Sequence, residues 1–368
     1  MESRRAGYLR DFRESWTLCQ QCGACSARAP IIPHNWKDLP PPEWASPYRR
    51  CPSFEYFGFR AYSAQGRGLL ATLVLDDEEF PITEDLLTIV YSCTSCGACS
   101  DVCEAVDPLT AIWVLRHELV RRGAELPGRL DRIHANIREH GNMFGPKPAA
   151  DVPALPSEGE DVFFAGCGVR SSQPQVMRAV STILKQAGIE VAYLADAERC
   201  CGFIPGYDGE GSLMEEQAFS NVEALRRAGA KRVIVSCAHC YRALTVDYPQ
   251  VVGDLPFGVV HFSELLAELI AEGRLEFDAP LDETVTYHDP CFLGRHSGIY
   301  DAPRAVIEAV SGVTLKEMES NRRWPYCCGS GSMIVSLCYP EFAANVTSER
   351  LDEAGRAACS IVTGCTTC

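Results

Sequence analysis

Two textures of hydrophobic pattern divide the chain. In the first part, apolar residues recur three to four positions apart. "LTAIWVLRHELVRRG" (109–123) and "LDRIHANIREHGN" (130–142) carry that spacing and predict two helices, the second closing at Gly141. The stretch "GPKPAADVPALPSEGED" (145–161) is rich in proline, alanine and acid, and reads as a linker. Beyond it the pattern shortens. "DVFFAGC", "KRVIVSC", "ETVTYHDPC" and "CSIVTGC" are brief apolar runs that each end at a cysteine. "EVAYL" predicts a further strand, and "PQVMRAVSTILKQAG" a helix between strands. Strands alternating with helices predict parallel sheets, whose carboxyl ends are where such folds hold ligands.

Bulk composition narrows the class. Of 368 residues 46% are hydrophobic and 23% charged, as in a globular protein with room for two or three domains. The net charge of −15 argues against nucleic acid or anionic lipid as partner. The longest clear apolar run, "LLATLVL" (Leu69–Leu75), is far short of the roughly 18 residues that span a bilayer, so no direct membrane insertion is expected. Arg4 and Arg5 are followed by no signal-type apolar segment. The expected location is cytoplasmic, including docking on a larger, membrane-attached complex.

Cysteine changes the picture. Twenty cysteines in a chain of this kind point to metal binding or catalysis rather than to a disulfide scaffold. Ten of them form an internal repeat. Cys167, Cys200-Cys201 and Cys237-x-x-Cys240 recur as Cys291, Cys327-Cys328 and Cys365-x-x-Cys368, displaced by 124 to 128 residues. Each adjacent pair is followed by glycine, Gly202 and Gly329. Zinc closes at four ligands. Five thiolates per copy, two of them adjacent, favour a larger and less regular iron–sulfur cluster.

This pattern resembles the cysteine-rich CCG domain of the heterodisulfide reductase family, and the resemblance covers nearly the whole chain. Residues 1–150 resemble a ferredoxin-like part with two [4Fe–4S] clusters, 160–280 a first CCG domain and 281–368 a second. The implied architecture is α+β overall: a mostly helical two-cluster domain, then two tandem α/β, Rossmann-like domains. The resemblance implies one non-cubane [4Fe–4S] cluster on Cys167, Cys200, Cys201, Cys237 and Cys240, and another on Cys291, Cys327, Cys328, Cys365 and Cys368. It further implies a cleft between them where a small disulfide is split by two one-electron reductions. No flavin or nucleotide motif is visible, so the electrons come from a partner, a flavin-containing subunit, with further iron–sulfur or dehydrogenase subunits in the same complex. An electron-relay subunit with no substrate of its own, as in glycolate or lactate oxidases, quinone-linked enzymes or benzoyl-CoA-reductase-type assemblies, is the alternative. A structural zinc protein is the third.

The first half carries two ferredoxin-type runs. "CTSCGACSDVC" supplies Cys93, Cys96, Cys99 and Cys103, whereas "CQQCGACSARAP" supplies Cys19, Cys22 and Cys25 but has Ala29 where a fourth cysteine belongs. In two-cluster ferredoxins the fourth cysteine of a run serves the other cluster. Cys103 therefore completes the set of Cys19, Cys22 and Cys25, and the set of Cys93, Cys96 and Cys99 lacks a ligand. Cys51, followed by Pro52, fits that role if about 22 residues were inserted between positions 29 and 51. The insertion would then cover this cluster and offer a docking surface. The competing reading is a three-ligand cluster with Cys51 merely buried.

Other residues carry weaker expectations. His288 could donate a proton near a nascent thiolate or belong to a His-Asp-Pro turn. His239 reads as a cluster neighbour rather than a ligand, and Arg295 and His296 as candidates for an anionic substrate. Cys338 and Cys359 fit no motif and read as core residues. Gly206, Gly209 and Gly211 resemble a flexible loop.

Overall fold

The structure is a computed structural model and describes residues 12, 16–23, 25, 51–146, 155–277 and 279–368. The proposed insertion and linker residues 147–154 fall largely or wholly outside that set. Contacts divide the chain into two compact units that interleave along the sequence. One gathers 1–130, 207–211 and 318–353; the other gathers 131–206, 212–317 and 354–368.

The first unit is helical. Asp107 caps the helix Pro108–Arg121 by accepting from the Leu109 amide, and Pro108 pre-sets its first turn. This helix packs on Ala64–Asp76, which contains the longest apolar run. Within that run Ala71 and Val74 are wholly buried while Leu69 and Leu73 face solvent, as helical spacing requires. Leu115 and Leu119 on the facing helix are also wholly buried, each contributing about 1.5–3 kcal/mol. Arg122 then ties the two helix ends together, donating to the carbonyls of Val74, Asp77 and Glu78. A smaller core joins Tyr326, Val335, Phe342 and Val346 to Phe57.

The second unit holds two three-stranded sheets. β1 (Asp161–Phe164), β2 (Arg232–Val235) and β3 (Gly258–His261) lie parallel in the order β1-β2-β3, with Phe163 opposite Ile234 and Ile234 opposite Val260. β4 (Glu283–His288), β5 (Val313–Leu315) and β6 (Ser360–Thr363) form the second, in the order β5-β4-β6, with Tyr287 opposite Val362. Helix Pro174–Gln186 lays Met177, Val180 and Leu184 on a core with Phe163, Ile234, Leu265 and Leu269.

The strand readings hold with two changes. "EVAYL" makes one bridge, Ala192 to Val162, rather than a strand. β3 and β5 come from "GVVH" and "VTL", runs too short for a periodic signal to separate from loop. The glycines after Cys201 are not a flexible loop: Gly206 lies in helix Phe203–Asp208, Gly211 opens helix Gly211–Arg227, and Gly209 alone turns, with φ +112°. The consequence for function is positional. Cys167, Cys237, Cys291 and Cys365 each follow the carboxyl end of a parallel strand within three residues, at β1, β2, β4 and β6. Among the described residues no helix is long and apolar enough to cross a membrane.

Candidate metal centres

The two ferredoxin-type runs adopt the same turn. Gln21 and Ser95 both take φ +53°, and Gly23 and Gly97 both take φ +77°. A left-handed residue before the second cysteine and a left-handed glycine after it wind each Cys-x-x-Cys-Gly loop into a tight cradle. Cys19, Cys22, Cys25 and Cys103 line one cavity of about 420 Å³. Burial raises the Cys25 thiol, and the charges of Cys103 and Cys19 add to that. Cys103 thus comes to the other run, as the crossed pairing of such domains requires.

Cys51 stands at the start of helix Pro52–Phe57, where Pro52 occupies the first turn. It lines a second cavity together with Cys93, Cys96 and Cys99. Burial pushes its thiol up to about 12, against the pull of Arg67 and the Phe54 amide, with Cys93 and Cys96 close enough to raise it further. Cys99 is raised well above the usual range by burial and then by Cys93, Cys96 and Cys51. Four thiols gathered in one pocket are a donor set that a thiophilic metal centre would bind as thiolates.

Two arginines flank this second pocket. Arg67, 1% exposed, donates to Ile89 O (2.6 Å), Tyr62 O (2.5 Å), Ser53 Oγ (2.7 Å) and Ser92 Oγ (3.0 Å). Arg116, wholly buried, donates to Cys93 O (2.9 Å), Tyr207 O (2.9 Å), Val90 O (3.2 Å) and Ser95 Oγ (3.2 Å). Sequence reasoning passed over both, because an arginine at helical spacing reads as a solvated face.

In the second unit the first five-cysteine set is contiguous. Cys167 and Cys200, Cys200 and Cys201, Cys201 and Cys240, and Cys240 and Cys237 lie close enough for each thiol to shift the next. The thiols split as a result. The neighbouring thiols of Cys200 and then Cys240 bring Cys201 down to about 6, while Cys167 is driven well up by Cys200 and burial. Cys237 and Cys365 act on each other in the same way, and Cys368 acts on Cys365, so the two Cys-x-x-Cys motifs of the repeat lie near one another. Around this junction, Gln173 donates to Thr366 O (3.0 Å), and His239 Nδ1 lies 3.3 Å from Thr367 Oγ1.

The second five-cysteine set divides between the units. Cys327 and Cys328 belong to the first unit; Cys291, Cys365 and Cys368 belong to the second. Its local chemistry matches the first copy. The Gly329 amide donates to Cys327 Sγ (3.4 Å), as the Gly202 amide does to Cys200, and the Thr367 amide donates to Cys365 Sγ (3.4 Å). Gly202 and Gly329 are both left-handed, at φ +75° and +94°. Gly329 also lies against helix Pro340–Ala357, so that a Cβ would meet Thr347 Oγ1 at 2.1 Å and Ala343 O at 2.5 Å. These contacts explain the glycine of each Cys-Cys-Gly.

The remaining candidates sort by contact. His288 ends β4, buried, next to Asp289, whose two oxygens accept from Arg304 at 2.8 Å each. His239 stacks on Phe203 (centroids 4.1 Å apart), and His296 stacks on Phe292 (4.3 Å). Cys338 is half-buried and donates to Pro127 O (3.2 Å). Cys359 is exposed and not a core residue, since it precedes β6 at the end of a helix. All twenty cysteines are free thiols. An all-sulfur donor set, crowded, buried and served by amide donors, fits iron–sulfur clusters.

These sites define an iron–sulfur protein, and comparison with known proteins agrees. Residues 15–105 match the 4Fe-4S dicluster domain, and 162–245 and 285–368 each match the CCG cysteine-rich domain. The chain is 33% identical to a subunit of the dihydromethanophenazine:CoB–CoM heterodisulfide reductase of Methanosarcina barkeri, over 80% of its length and 75% of that protein. The Methanosarcina mazei counterpart is 30% identical, over 94% of this chain and 85% of that protein. The chain belongs to the heterodisulfide reductase family, and is an iron–sulfur oxidoreductase subunit. It is also 34% identical to an EtfAB:quinone oxidoreductase of Syntrophomonas wolfei, over 66% of this chain and 36% of that protein.

Proposed function

We propose that this chain takes electrons from a flavin-containing partner through two cubane clusters to two non-cubane clusters, and there reduces a small disulfide. Cys19, Cys22, Cys25 and Cys103 would hold one cubane, and Cys51, Cys93, Cys96 and Cys99 the other. The two five-cysteine sets would hold the non-cubane pair. When bound, such clusters supply electrons one at a time. Reducing R–S–S–R′ to RSH and R′SH takes two electrons and two protons, so paired centres suit it. His288 does not line the cavity beside Cys365, but its imidazole lies within 4.8 Å of Cys368 Sγ, which does. It is assigned to give a proton to a product thiolate there, and the Arg304–Asp289 pair fixes the turn behind it.

One observation carries the reading: Cys365 and Cys368, with Cys237 close enough to shift the Cys365 thiol, stand in the wall of this cavity of about 410 Å³. That cavity lies at the carboxyl ends of β2, β3, β4 and β6, where Ser236, His261, Tyr287 and Thr363 stand in its wall. Leu266, Val306 and Ile307 supply an apolar side. Among the described residues no Lys, Arg, Asp or Glu side chain lines it, and burial lowers His261 to about 4, so the imidazole is neutral near pH 7. The acceptor this cavity suits is therefore uncharged, and the expectation that Arg295 and His296 bind an anion is not part of the proposal. The assay is viologen-driven turnover of the cluster-loaded protein with an uncharged disulfide, such as bis(2-hydroxyethyl) disulfide, against a dicarboxylate disulfide. Faster turnover of the uncharged one is expected. Turnover of no disulfide at all would leave the relay reading standing instead.

A further inference from the structure

We infer that Arg67 and Arg116 raise the reduction potential of the cluster on Cys51, Cys93, Cys96 and Cys99 above that of its neighbour, so that electrons run from the Cys19 set to the Cys51 set. The inference rests on the cubane assignment above and adds a direction to it.

The argument starts from what a buried cation requires. Every hydrogen bond that Arg67 and Arg116 make is to a neutral carbonyl or hydroxyl, and among the described residues neither forms an ion pair. The Nε of Arg116 has no hydrogen-bond partner among them. Asp208 lies close enough to act on Arg116 through its charge, without a salt bridge between them. Withdrawing a guanidinium from water without an anion is strongly unfavourable. The ionisable groups nearest in effect are thiols: Arg67 acts on Cys51 and Arg116 on Cys93, and Arg67 lines the same cavity as all four cysteines. A four-thiolate cluster, net negative in either oxidation state, is the missing counter-charge.

A second observation gives the direction. The cavity of Cys19, Cys22, Cys25 and Cys103 has no Arg or Lys in its described wall, and it has an acid, Glu104. Reduction adds one negative charge to a cluster. Beside two buried cations that charge is favoured, and beside a carboxylate it is opposed. Arg67 and Arg116 act through the field at the cluster and are positioning residues.

The test is an EPR-monitored redox titration of the holoprotein, which is expected to show two cubane signals with separate potentials. Cys51→Ser and Cys103→Ser assign them, since each changes the spectrum of one cluster; the signal changed by Cys51→Ser is expected to be the one with the higher potential. Arg67→Gln is expected to lower that potential alone, by at least tenfold in the one-electron equilibrium constant, which is 59 mV. Arg67→Lys is expected to restore most of it. If the higher potential belongs to the Cys103 signal, or if Arg67→Gln leaves both potentials in place, the inference fails. The Cys51 and Cys103 assignment in the otherwise native chain decides the order even if Arg67→Gln does not load its cluster. Absence of two cubane signals in the native protein would instead defeat the cubane assignment.

Discussion

Replacing Gly329 by alanine probes why each cysteine pair is followed by glycine. Two costs combine there. At φ +94° an L-residue is strained, by about 1–3 kcal/mol for such backbone positions. The added Cβ would also sit 2.1 Å from Thr347 Oγ1 and 2.5 Å from Ala343 O, and overpacking of that kind costs about 1–3 kcal/mol more. The sum is roughly 2–6 kcal/mol, or on the order of 4–24 °C in Tm for a unit of this size. Two other glycines calibrate it. Gly123, at φ +73°, has nothing within 4 Å of a Cβ, so Gly123→Ala should cost about 1 kcal/mol from backbone alone. Gly202, at φ +75°, would bring its Cβ to 3.1 Å from Met214 Cα and 3.3 Å from Gln217 Cβ, and should fall between. The assay is thermal bleaching of the visible absorbance at one fixed scan rate, since loss of the clusters makes unfolding irreversible. The expected order of damage is Gly123→Ala, then Gly202→Ala, then Gly329→Ala. Equal shifts for Gly329→Ala and Gly123→Ala would refute the packing argument and leave only backbone strain.

Three further outcomes follow from the same structure. Cys51→Ala should lower iron content and change the EPR of one cubane cluster while the other persists; unchanged iron and spectra would return Cys51 to the role of a buried thiol. Burial opposes the charge of Glu118, yet hydrogen bonds from Arg121 and Arg122 prevail and hold it at about 2. A carboxylate held low stabilises above the ordinary value of 4.5 and loses that contribution as pH falls toward 2. Glu118→Gln should therefore destabilise the fold by about 1–2 kcal/mol at neutral pH, after allowance for screening, with the difference from wild type shrinking below pH 4.5 in denaturant titrations. Stripping iron with a chelator should raise amide exchange around Arg67 and Arg116 more than on the buried face of helix Pro174–Gln186, because only the arginines lose a counter-charge.

The cysteine spacing carried much of this site into the sequence because ligand turns are local. Cys-x-x-Cys-Gly fixes the chain over a few residues, and the two runs reach the same φ angles despite Gln20-Gln21 in one and Thr94-Ser95 in the other. Strands ending in cysteine were legible for a related reason: apolar runs such as "RVIV" have little but a buried parallel strand to form. Contacts between distant segments were not. The segment bearing Cys327 and Cys328 packs with residues 1–130, where Tyr326 OH meets Glu55 and Arg323 pairs with Asp101, although its repeat partner Cys200-Cys201 belongs to the other unit. No spacing along a chain encodes that exchange.

The arginines make the same point in electrostatic form. "LRHEL" around Arg116 and "QGRGLL" around Arg67 look like exposed helical positions, since charge at helical spacing usually marks solvent. A cluster on Cys51, Cys93, Cys96 and Cys99, as proposed, would supply the second charge that their burial calls for. An arginine that is buried with no ion pair among the described residues would then be an independent witness to that site, drawn from the cation rather than from the ligands. On the proposed assignment Cys51 and the buried Arg67 would support one another: a thiolate-bound cluster would neutralise the guanidinium, and the guanidinium would make the cluster accept an electron more readily. Losing either should disturb the other, so the double variant Cys51→Ala/Arg67→Gln should cost less than the sum of the single changes.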